Sequence, residues 1–81
     1  MTIEHTSARS DDEFLMLLEP QLAKIQRIAL LLCGDRHDAD DVVADAVART
    51  LPRWRSGDVA DVGAYVRRVA VNLVTDRKSV V

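Results

Sequence analysis

Apolar residues recur along this chain at intervals of three and four, in three stretches separated by two turn signals. In the first stretch Phe14, Leu18, Leu22, Ile25, Ala29 and Leu32 form one stripe, the spacing of an amphipathic helix. "SDDE" ahead of it reads as a capping box, with Ser10 as cap and Glu13 three residues on. Asp11 and Asp12 suit the positive end of the helix dipole. Pro20 falls inside the stripe and predicts a kink or a split into two segments. Gly34 reads as the stop. After "GDRHD", a second helix starts with Asp35 or Asp38 as cap. Its inner face is Ala39, Val42, Val43, Ala46, Val47, Thr50, Leu51 and Trp54, and its outer strip is Asp41, Ala44, Asp45 and Ala48. Pro52 predicts a weakened last turn. "RWRSGDVAD" reads as the second loop, with Gly57-Asp58 as its turn signal and Asp61 as cap of a third helix. That helix would bury Val62, Tyr65, Val66, Val69, Ala70 and Leu73. Its outer face would carry Arg67, Arg68, Val71, Asn72, Thr75 and Lys78. No hairpin punctuation and no repeat interrupts the pattern. The expected fold is all-α, a compact three- to four-helix bundle over residues 10–81, with residues 1–9 as a disordered leader.

Composition narrows this picture. The chain has 81 residues, 48% of them apolar and 30% charged, the profile of one folded domain with a modest core. Aromatics are 4%, so the core must be aliphatic. A single cysteine, Cys33, rules out an internal disulfide and fits a reducing compartment. The run "IALLLC" is too short to span a bilayer, and the polar start lacks a secretory signal. Cytoplasmic residence is therefore expected, without membrane contact.

Charge is segregated. Residues 1–45 hold four bases against ten acids, net −6, and residues 46–81 hold seven bases against three acids, net +4, within an overall −2. One half suits a basic partner and the other a polyanion, although solvated faces would look alike.

The acids of "DADDVVADAV" (residues 38–47) raise the question of chemistry. Calcium loops need oxygen ligands at alternate positions and a glycine. From Asp35 these positions are His37, Ala39 and Asp41, and from Asp38 they are Asp40 and Val42. Neither register fits. A zinc site would have only Cys33 and His37 at workable spacing. Asp41 and Asp45 as a catalytic pair would lie on an exposed face, where nothing raises one pKa. Cys33 fits core filling better than nucleophilic attack. With three glycines in the chain there is no phosphate-cradling loop. These readings point to no metal, no cofactor and no enzyme. Trp54 between Arg53 and Arg55 could stack on a single-stranded base, or it could be core at the end of the second stripe. Arg67, Arg68 and Lys78 could meet phosphates or simply face solvent.

The order of pieces carries a resemblance. "GDRHDADDVVADAVARTLPRW", a short polar loop and "GAYVRRVAVNLVTDR" resemble region 2 of sigma-70-type transcription factors, most closely the extracytoplasmic-function (ECF) group. That group commonly reads G-D-x-x-D-A-E-D-V-V-Q-E-A-F-x-R, then a Trp, then A-Y-V-R-R-V-x-V-N-L-x-x-D. The similarity runs from about Phe14 to Lys78. It implies a non-catalytic promoter-recognition module of bacterial RNA polymerase. The second helix would dock its acidic face on the β′ coiled coil through Asp41, Ala44, Asp45, Ala48 and Arg49. Asp38 and Asp40 would cap the helix. The loop and third helix would engage the nontemplate strand of the promoter −10 element, with a flipped base held by the loop. The residues at matching positions are Arg53, Trp54, Arg55, Ser56, Gly57, Asp58, Arg67, Arg68, Asn72 and Lys78. The resemblance also admits an anti-sigma protein as a partner.

Three departures stand out. Ala44 replaces the group's common glutamine, Val47 its phenylalanine, and Leu51 an aromatic. The −35-reading region 4 has no counterpart in this sequence, and "RKSVV" reads as the start of an interdomain linker. Two other functions fit the bare pattern. One is a stand-alone, repressor-like DNA-binding domain. The other is a helical protein–protein adaptor.

Overall fold

A computed structural model describes residues 10–78, with side chains through Arg77. The leader expected at residues 1–9 lies outside the described residues. Three helices form, α1 (Asp11–Cys33), α2 (Arg36–Arg55) and α3 (Val62–Lys78), and each packs on both others. No strand occurs among the described residues. The all-α expectation holds, with three helices.

Local chemistry explains each boundary. Ser10 Oγ accepts the Glu13 backbone N–H at 3.1 Å and starts α1. Gly34 ends it in the left-handed conformation at φ 75°, its N–H donating to Leu30 O at 2.8 Å. Asp35, the first of the two candidates, caps α2 through His37 N–H at 3.0 Å. Asp38 sits in the first turn, whereas Asp40 lies beyond it and has no capping role. Asp61 Oδ1 accepts the Ala64 N–H at 3.1 Å and starts α3.

Both prolines are absorbed. Pro20 neither splits nor ends α1, and α2 runs past Pro52 to Arg55. Proline removes the donor to the carbonyl four residues back. Those residues are Met16 and Ala48, and each is exposed, as are both prolines. Water can therefore take the missing donor's place. The end of α2 is a Schellman turn. Asp58 N–H reaches Arg53 O and Gly57 N–H reaches Trp54 O, both at 3.0 Å, with Gly57 at φ 84°. Arg53 and Arg55, read from sequence as loop, and Trp54, read both as the end of the helical stripe and as loop, are the last turn of α2. The loop is 56–61.

The core is one cluster drawn from all three helices and from Val59 in the loop. Most of the α2 stripe is buried, with Val47 and Leu51 half-buried, and it includes Thr50, whose hydroxyl donates to Ala46 O at 2.7 Å. Several positions depart from the expected faces, among them Tyr65 and Val69, which are half-buried. At the end of α1, Cys33 packs against the core, while Leu32 is exposed. In α3, Val74 is buried at 4% exposure, whereas Leu73 is half-buried. Gly63 is buried against α1, where a Cβ would lie 2.4 Å from Gln21 Cγ. The missing side chain lets α1 and α3 approach there.

Candidate functional site

Two surfaces emerge from this framework. The first is the outer face of α2. Asp41, Ala44 and Ala48 are exposed and Asp45 is half-buried. The alanines keep the surface low between the two acids. Arg49 Nε donates to Asp45 Oδ1 at 3.0 Å, an i,i+4 pair, whereas Asp41 makes no ion pair with a described residue. Beside this strip runs an open groove of about 500 Å³ between α1 and α2. Leu22 and Gln26 line it from α1, and Arg36, Asp40, Val43, Ala44 and Val47 from α2. The contribution of α1 was not legible in the spacing of α2. Val47 and Leu22 are half-buried members of the core periphery, so they offer apolar floor to a partner side chain.

The second surface is a groove of about 560 Å³ between loop residues 58–61 and the first three turns of α3. Asp58, Tyr65, Arg67, Arg68, Val71 and Asn72 are among its walls. Four of these were expected at a nucleic-acid site: Asp58, Arg67, Arg68 and Asn72. The loop is held from both ends. Gly57 closes the Schellman turn, and Val59 is anchored in the core at 2% exposure. Asp61 then caps α3, so the groove's floor is fixed by backbone hydrogen bonds. Arg67 and Arg68 are exposed and make no ion pair with a described residue.

Other expected members fall elsewhere. Trp54 is buried at 2% exposure, its ring 5.5 Å from that of Phe14 at an interplanar tilt of 55°. An indole so placed cannot stack on a base, and its assignment to a DNA surface is corrected to core. Arg55 binds Asp11 on α1 with two hydrogen bonds, Nη2 to Oδ2 at 2.6 Å and Nε to Oδ1 at 3.0 Å. Those bonds hold the Asp11 carboxyl below its ordinary 3.8 and raise the guanidinium above its ordinary value. Arg55 thus clamps the two helix ends and does not border the groove. Arg53 faces Asp58 at 3.7 Å, so it touches the groove only through that carboxylate. Ser56 and Gly57 shape the turn and are absent from the lining, Ser56 Oγ donating to Pro52 O at 3.1 Å. Lys78 is the last residue of α3, and its side chain lies outside the described residues.

Tyr65 was assigned to the core by periodicity, yet it is half-buried and lines the groove. The chain has one Trp, one Tyr and one Phe. With Trp54 and Phe14 buried, Tyr65 is the aromatic available to a ligand. Its place two residues before Arg67 was the available signal. Among the described residues no three His, Cys, Asp or Glu side chains converge as metal ligands, and no helix is long and apolar enough to cross a membrane.

These surfaces define a helical binding module with an acidic, low face on one helix and, at the start of the next, a groove that carries two arginines and two aspartates. Residues 17–79 match the family described as Sigma-70 region 2. The chain belongs to that family and is a sigma factor domain of transcription initiation. Membership implies association with core RNA polymerase and promoter DNA, and the family's domains are non-catalytic. No curated protein and no solved structure gives a significant match to the chain.

Proposed function

We propose that α2 docks on the β′ coiled coil of RNA polymerase while the α3 groove holds a nontemplate-strand base of the −10 element, stabilising strand opening. The observation that carries this reading is the groove itself. It joins an accessible aromatic ring, Tyr65, two arginines that make no ion pair with a described residue and an amide, Asn72, all on α3 beside a loop fixed in place. A flipped base needs a stacking surface, phosphate contacts and hydrogen-bonding groups in one recess. On α2, a partner helix lying across Ala44 and Ala48 would bring its cations to Asp41 and Asp45 and an apolar side chain to the Leu22–Val47 groove. The reaction belongs to the polymerase, and this domain supplies selectivity by binding.

The test is affinity for a β′ coiled-coil fragment, wild type against Asp41→Arg with Asp45→Arg. Binding by the wild type and loss in the double variant is the expected result. Absence of a wild-type complex would sink the docking reading. Tight binding of the free domain to duplex promoter DNA at physiological salt would instead favour a polymerase-independent DNA binder.

A further inference from the structure

The α3 groove does not end at Arg67. A second recess of about 150 Å³ adjoins it on the α1 side and shares Asp61, Ala64 and Arg67 with it. Its far wall is Gln21 and Lys24, three residues apart on α1 and so on one helix face. Both are exposed, and Lys24 makes no ion pair with a described residue. We propose that Lys24 and Gln21 continue the single-strand path, with Lys24 and Arg67 bracketing a phosphate of the nontemplate strand next to the base held in the groove. The inference rests on the proposed role of that groove.

Three observations support it. The recess is small beside the groove, about 150 Å³ against about 560 Å³, and so suits a phosphate group better than a base. Its two cations face one carboxylate, Asp61, which is already engaged in capping Ala64. The geometry is also built in, since Gly63 leaves room for Gln21, whose Cβ and Cγ would lie 3.0 and 2.4 Å from a Cβ there. The occupant follows from continuity. A strand seated in the groove and passing Arg67 meets Lys24 as the next cation.

The test uses the full chain bound to core polymerase and a fork-junction DNA probe, single-stranded across the −10 element. A single-strand phosphate contact contributes a salt slope of about 0.7, or roughly fivefold in affinity at 0.1 M salt. Lys24→Ala is expected to lose about that factor and lower the slope by about that amount, with Lys24→Arg restoring both. Affinity for the β′ fragment should stay unchanged, and Gln21→Ala should weaken binding without altering the slope. Arg67→Ala serves as the reference for the groove. If Arg67→Ala weakens binding while Lys24→Ala leaves affinity and slope at wild type, the path does not cross α1, and the groove reading survives. If neither substitution matters, the groove reading fails and this inference with it. An equal loss for Lys24→Ala on a fully duplex probe would also overturn it, because the contact would then not be to the opened strand.

Discussion

Trp54 gives the sharpest test of how this domain divides core from contact surface. Its ring is 2% exposed and packs at 5.5 Å against Phe14, joining the end of α2 to the start of α1. Truncating such a ring to alanine costs about 3–5 kcal/mol from lost transfer energy and the cavity left behind. An 81-residue domain has roughly 4–12 kcal/mol of stability in total, so Trp54→Ala would remove about a quarter of it or more, and at the low end would unfold the domain, which confounds any reading of DNA binding. Trp54→Phe is the useful variant. It keeps an aromatic partner for Phe14, retains part of the pair's ~0.5–1.5 kcal/mol, and should cost about 1–2 kcal/mol. Urea unfolding measures that loss, and fork-junction binding with core polymerase measures function. Binding should stay within about twofold of wild type at a temperature where both proteins are folded. The chain has a single tryptophan, so its fluorescence reports on this ring alone. Acrylamide should quench it weakly, and adding DNA should change that little. A folded Trp54→Phe domain that loses DNA binding tenfold, or emission strongly quenched by single-stranded DNA, would refute the assignment to core.

Two further outcomes follow from packing and charge. Gly63→Ala should lower stability by up to ~2 kcal/mol, because overpacking against Gln21 costs about 1–3 kcal/mol and exceeds the helix-propensity gain of about 1 kcal/mol. Adding Gln21→Ala removes the atom at 2.4 Å but not the Cβ at 3.0 Å, so a double-mutant cycle in urea should show partial rescue, and a higher melting temperature for Gly63→Ala alone would contradict the close approach. The Asp11–Arg55 clamp should stabilise the fold above the ordinary carboxylate pKa of 3.8, with its contribution lost as pH falls through the lowered folded value. Arg55→Gln should therefore lower the melting temperature near neutrality and not in strong acid, by a small amount that salt screens; an equal loss at both would rule the ion pair out as the cause.

Much of the helical framework was legible because its signals are local. Caps at Ser10, Asp35 and Asp61 act within three residues, and the stripe of α2 needs only its own periodicity. What was missed depends on tertiary context. Whether a proline breaks a helix turns on whether the carbonyl it deprives faces water, and for Pro20 and Pro52 the residues concerned are exposed. Trp54 was legible as core at the end of the α2 stripe, but its partner was not, and Tyr65 was placed wrongly for a related reason. Trp54 meets Phe14, forty residues away in sequence, and no local pattern reports that pairing. Tyr65 sits at the edge of the α3 stripe, where the loop leaves a recess rather than a cover. Arg55 looked like a free cation because its partner, Asp11, is the first residue of α1, far away in sequence. The groove's arginines and Asn72 were readable from the helical outer face, whereas Gln21, Lys24, Leu22 and Gln26 enter their recesses only through interhelix packing.

The charges of the α3 groove explain why DNA engagement, on the proposed reading, should depend on the polymerase. Arg67 and Arg68 line the groove together with Asp58 and Asp61, so its walls carry no net charge, and the whole chain is at −2. Phosphate neutralisation supplies most of the affinity of non-specific nucleic-acid binding. Two arginines and Lys24 would give a salt slope of about 2 on a single strand, far short of what independent duplex binding requires. The acidic face of α2 adds repulsion only within a Debye length of about 8–10 Å. Docking resolves both problems together. A β′ partner with basic side chains would neutralise Asp41 and Asp45, and attachment to the polymerase would turn capture of the opened strand into an intramolecular step at high effective concentration. Weak charge in the groove then becomes an advantage for selectivity, because the free domain would not be held by DNA of any sequence, and base-dependent contacts from Tyr65 and Asn72 would decide which opened strand is retained.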